Sequence, residues 1–127
     1  MITTIVSVAI GGSLGAVTRY GVNQGAVQVF GHGFPWGTII VNVLGSFLMG
    51  VMIAKFSMMD HVSHEMKTML TTGFLGAFTT FSTFSLDFVT MWERGELAQA
   101  ALYMMGSVVL SIAALFLALW IMRGIPS

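Results

Sequence analysis

Charged side chains are so sparse in this 127-residue chain that they act as its punctuation. Residues 1–18, 20–54, 68–86 and 97–122 contain no Lys, Arg, Asp or Glu, and His32, Gly33 and Pro35 interrupt the second run. A helix needs roughly 20 predominantly apolar residues to cross the hydrocarbon core of a bilayer. The runs therefore predict four membrane-spanning helices, at about 3–25, 36–55, 67–92 and 97–122, in one four-helix domain over 1–127. Only 8% of residues are charged, against roughly 25% in ordinary soluble domains. Net charge is zero and mean hydropathy is +0.89. These values exclude a soluble enzyme, a nucleic-acid binder held by a basic patch, and an acidic disordered tail. The absence of cysteine excludes a disulfide scaffold, a thiolate metal site and a thiol nucleophile. A small, all-α, multi-pass integral membrane protein remains, with almost no room for a domain outside the bilayer. The first run is read as a span and not a cleaved leader, because no basic residue precedes Arg19 and further spans follow.

The links are short. Residues 31–35 carry turn chemistry, with Pro35 placed to open the second helix. Residues 57–65 are polar, and Glu93-Arg94-Gly95-Glu96 is a tight connection. Trp36, Trp92 and Trp120 stand at span ends, as in an interfacial aromatic belt. With four spans, Lys55, Lys67 and Arg123 share the side of the termini and Arg19 and Arg94 oppose them. So even a split gives the positive-inside rule almost nothing to act on. Either a chain this short needs little bias, or it inserts both ways and pairs with an opposed copy.

Polar residues inside the spans must find a partner, a cavity or another helix. Gly11-Gly12-Ser13-Leu14-Gly15-Ala16 has the small-residue spacing of close helix packing. Thr38, Asn42 and Ser46 form one stripe of the second span, and Tyr103, Ser107 and Ser111 form one of the fourth. Each stripe suits interhelical bonding, and each also offers successive donors to a dehydrating anion. In the third span, Gly, Thr, Ser and Phe alternate from Thr71 to Ser85, which is a poor helix centre. Either the helix continues and its small residues pack tightly, or it breaks, which would free carbonyls that suit a hard cation and amides that suit an anion. Phe81 and Phe84 at this spacing ordinarily meet lipid or pack; alternatively their positive ring edges line an anion path without a trapping charge. Asp87 is placed to cap, pair or line a vestibule. His61, His64 and Glu65 fall in a polar link and read as a solvated loop.

The third span, Thr72-Gly73-Phe74-Leu75-Gly76-Ala77-Phe78-Thr79-Thr80-Phe81-Ser82-Thr83-Phe84-Ser85, closely resembles the signature of the CrcB/Fluc fluoride channels. Gly37-Thr38-Ile39-Ile40-Val41-Asn42 resembles that family's second-helix motif, and the first-span glycines with Arg19 resemble its first helix. The resemblance implies an antiparallel, dual-topology homodimer with a third helix broken near its middle. It implies two narrow pores in the cell membrane and passive fluoride export that gives fluoride resistance. It places Asn42, Phe81, Phe84, Tyr103, Ser107 and Ser111 on the fluoride pathway, with Ser82 and Thr83 beside them. It further implies a structural sodium ion at the dimer centre, held by the main-chain carbonyls of Gly76 and Thr79. Ala77 and Asp87 depart from the family's frequent glycine and glutamate, and Leu115 ends the hydroxyl track.

Two other classes are weighed. A small proton-coupled antiporter needs a membrane-embedded acid, usually in its first span, and no acid precedes Asp60. A non-conducting accessory subunit explains the small-residue stripes but not the Phe-Ser-Thr-Phe pattern. No convergent acid, base and nucleophile set points to an enzyme.

Overall fold

The computed structural model describes residues 1–124, and every regular element among them is helical. Helix α1 (Ile2–Phe30) ends where Gly31 takes φ 79°, a conformation that costs glycine little, and donates its N–H to Val27 O at 2.8 Å. Helix α2 (Trp36–Met58) starts after Pro35, as the sequence indicates. Helix α6 (Leu97–Gly124) follows a turn in which Gly95 also has φ 79°. These three helices, of 29, 23 and 28 residues, are long and apolar enough to cross a bilayer.

Residues 64–93 are built in pieces. Ser63 caps α3 (His64–Thr68), its hydroxyl accepting from Met66 N at 3.2 Å. A π-helical stretch, Met69–Leu75, follows and runs into the single turn α4 (Gly76–Phe78). Thr79 (φ −88°, ψ 161°) and Thr80 (φ −154°, ψ 120°) are extended. Helix α5 (Phe81–Glu93) then begins, with the Thr80 hydroxyl accepting from Thr83 N at 3.1 Å. None of these pieces is long enough to span by itself, since 13 residues rise only about 20 Å.

The span boundaries need correction in three places. Helix α1 continues to Phe30, beyond the expected 25, because no proline or left-handed residue precedes Gly31. Helix α2 passes through Lys55 to Met58, where the long side chain can reach out of the apolar zone. The third segment starts at His64, where Ser63 supplies the cap.

Small residues set the packing. A side-chain carbon at Gly50 would meet Ala118 and the Leu115 carbonyl, so α2 and α6 lie in close contact there. A side-chain carbon at Gly45 would collide with Thr79. On α1, Gly11 and Gly15 lie against the carbonyls of Met69 and Phe74, which bears out the packing reading of that stripe. Val41, Leu75 and Phe78 form one buried cluster, and Met91, Ala100 and Tyr103 form another. Apolar side chains such as Leu14, Val17, Val109 and Phe116 face outward, as expected where lipid replaces water as the solvent.

Candidate functional site

The Thr79–Thr80 turn is held by side chains from two other helices. Asn42 on α2 grips the backbone of Thr80 at both ends: Nδ2 donates to Thr80 O at 3.0 Å, and Oδ1 accepts from Thr80 N at 2.8 Å. In an uninterrupted helix Thr80 N would donate to Gly76 O, and Thr83 N to Thr79 O. Instead Thr80 N goes to Asn42 and Thr83 N to the Thr80 hydroxyl. The carbonyls of Gly76 and Thr79 are thereby released from their helical donors. Ala77 O accepts from Arg19 Nε at 3.0 Å.

Beside this turn lies a groove of about 310 Å³ between α2, the turn, α5 and α6. Asn42, Phe81, Phe84, Ser107 and Ser111 all line it, so five residues expected on one pathway meet in one groove from three helices. Ser46, Thr79 and Thr80 add hydroxyls, and no charged side chain contributes to the lining. An amide nitrogen carries two N–H groups. One of those on Asn42 is used on Thr80, which leaves the second for the groove. The rings of Phe81 and Phe84 lie 5.7 Å apart and tilted by 48°, and Phe81 as a residue is 78% exposed.

Ser107 is the unusual member. It is buried, yet its Oγ has no hydrogen-bond partner among the described residues. Other hydroxyls in the bundle avoid that state by donating to the carbonyl four residues back, as Ser13, Thr18, Thr79 and Ser85 do. A buried, unmade hydrogen bond costs free energy and calls for an explanation. A ligand in the groove would supply the missing partner.

The remaining expected residues are placed differently. Tyr103 is buried behind Phe84, with ring centroids 5.3 Å apart, and its hydroxyl donates to Asp87 Oδ2 at 2.9 Å. Thr38 donates to the same oxygen at 2.7 Å. Asp87 thus ties α2, α5 and α6 together. Thr83 lines a second cavity of about 210 Å³, with Asp87, Thr38, Asn23 and His32. Ser82 is exposed, 3.4 Å from the Thr80 hydroxyl, and lines neither cavity. Among the described residues the one ion pair is Arg94 with Glu96 at 4.0 Å, so Arg19 and Asp87 are held by neutral partners. Sequence reasoning passed over Thr80 and the Arg19–Ala77 contact. The Thr79-Thr80 pair hinted at the first; nothing local signals a contact across 58 positions.

Donors without a counter-charge, ring edges and an unpartnered buried hydroxyl are what a small, strongly hydrated anion needs when it sheds water. Residues 6–119 match the family described as CrcB-like protein, Camphor Resistance (CrcB). The chain is 48% identical over 118 residues to the fluoride-specific ion channel FluC of Rhizobium etli, covering 93% of this chain and 94% of that one. It is 49% identical over 124 residues to the FluC of Cereibacter sphaeroides, with 98% of each chain covered. Identity to the FluC of Agrobacterium fabrum is 46% over 121 residues, or 95% and 97% of the two chains. With a match that takes in both walls of the groove and the turn between them, this chain belongs to the CrcB family.

Proposed function

We propose that the protein is a passive, fluoride-selective channel that exports fluoride across the cell membrane and so gives fluoride resistance. The observation that carries this reading is the partnerless Ser107 hydroxyl, which lines the same groove as Asn42, Phe81, Phe84 and Ser111. Fluoride accepts strong hydrogen bonds and is costly to dehydrate, so a path for it must return donors for the water removed. Hydroxyls and the free Asn42 N–H supply them, and the positive edges of the two rings add weak attraction. A lysine or arginine in the wall would bind the ion too tightly for it to leave.

The working unit in this proposal is an antiparallel, dual-topology homodimer in the lipid bilayer. Its support is the groove's open side, where Phe81 stands largely outside the chain's own fold. The nearly even charge split across the spans agrees with insertion in both directions. The interruption at Thr79–Thr80 serves as the break of the third membrane crossing.

A structural sodium ion fits the residues present. The carbonyls of Gly76 and Thr79 have lost their helical donors to Asn42 and Thr80, and Gly76 is exposed. Uncharged hard oxygens suit an alkali cation. When bound, such an ion would neutralise these dipoles and join two copies at the break.

The test is fluoride efflux from liposomes carrying the purified protein, with chloride as control. Fluoride should leave and chloride should not. Phe81→Ile and Phe84→Ile should each abolish efflux while the dimer still assembles, as read by size-exclusion chromatography with light scattering. Full efflux in both variants would remove the rings from the pathway, and liposomes inert with the parent protein would overturn the channel reading itself.

A further inference from the structure

Arg19 places a full charge inside a membrane-spanning helix, with no carboxylate partner among the described residues. An ionised side chain at that depth is expensive and is retained for a purpose. Its position on α1 shows what the purpose is. Residues 11, 15 and 19 are four apart and form one stripe. Gly11 lies against the Met69 carbonyl, Gly15 against the Phe74 carbonyl, and Arg19 Nε donates to the Ala77 carbonyl at 3.0 Å. The glycines let α1 approach a row of carbonyls, and the arginine meets the last of the row.

Ala77 lies in α4, two residues before the chain turns extended at Thr79. Carbonyls at a helix C-terminus lack intrahelical donors and carry the negative end of the helix dipole, so a cation is favoured there. Arg19 supplies both a donor and a positive charge from α1, while Asn42 holds Thr80 from α2. We infer that Arg19 is a positioning residue for conduction: by anchoring the Ala77 carbonyl it fixes the Thr79–Thr80 turn and, through it, the placement of Phe81 at the groove. The guanidinium does not line the groove and acts only through this backbone.

The inference rests on the channel reading, and two independent readouts separate them: amide hydrogen exchange at Thr79 and Thr80, and fluoride flux with its selectivity over chloride. Arg19→Met removes the donor and charge while keeping an extended apolar stem, and loss of a charge does not hinder membrane insertion. Flux per assembled dimer should fall about tenfold or more, in line with loss of a charge-assisted hydrogen bond. Fluoride-over-chloride selectivity should drop, and the Thr79 and Thr80 amides should exchange faster than in the parent. A variant that merely folds less often would keep both its flux per assembled dimer and its selectivity. Arg19→Lys, which restores a donor and a charge, should recover flux to within about threefold of the parent. Arg19→Met flux within twofold of the parent, unchanged exchange at both threonines, or equal loss in the Lys and Met variants would each overturn the assignment. If Arg19→Met does not assemble, Arg19→Lys decides: parent-like exchange at Thr79 and Thr80 supports the anchor, and faster exchange overturns it. A parent that protects these amides but passes no fluoride would remove the channel reading and leave the anchor standing.

Discussion

At the scale of single residues, the proposed pathway sets stability and function against each other at Ser107. Its hydroxyl is buried without a partner, so Ser107→Ala removes an unsatisfied polar group at little cost in packing. The variant should be more stable to thermal unfolding in detergent, by about 1 kcal/mol. Fluoride flux should meanwhile fall about tenfold or more, as one of the few donors in the groove is lost. A destabilised Ser107→Ala would show that the hydroxyl is satisfied inside the fold. The polar stripes containing Asn42 and Ser107 were visible in the sequence because three residues at helical spacing share a face. Their assignments were not. Asn42 bonds both the N–H and the C=O of Thr80 and still has an N–H to spare, so its packing role does not use up the donors that the proposed pathway needs. Tyr103 continues the Ser107–Ser111 stripe by spacing, but its hydroxyl is taken by Asp87. Tyr103 does not line the groove, and the partner that takes its hydroxyl lies on α5, which position along its own helix does not reveal.

At the scale of elements, the charge-free runs located the long helices but not their ends, since α1 runs through Arg19 and α2 through Lys55. The third segment was legible as a poor helix centre, through its glycines and hydroxyls, but its internal geometry was not. The π-helical stretch over Met69–Leu75 depends on how the backbone meets α1, and local composition does not encode that contact. The same contact yields a prediction. Gly15→Val would push a branched side chain into the Phe74 backbone and should cost about 1–3 kcal/mol of stability. Gly21→Ala, where nothing lies within 4 Å, should stabilise α1 by up to about 1 kcal/mol. Thermal melts of the two variants in one detergent check both signs together.

At the scale of the whole molecule, orientation is a property that few charges decide. Met58→Arg with His61→Arg adds positive charge to one end of the bundle, and His32→Arg with Gly33→Arg adds it to the other. If the channel requires opposed copies, each doubly substituted protein should adopt one orientation and lose fluoride flux. Co-expression of the two should restore it, as read by reporter fusions and by efflux from cells. Flux from either one alone would argue against opposed pairing. The grip on the Thr79–Thr80 turn bears on how such a molecule is made. Arg19 and Asn42 both precede the turn in the chain, and synthesis proceeds from the N-terminus. When the ribosome delivers the third segment to the membrane, the side chains that receive its exposed peptide groups are already there. If the third segment crosses the bilayer as proposed, biosynthetic order therefore has the partners of this turn in place before its backbone meets lipid.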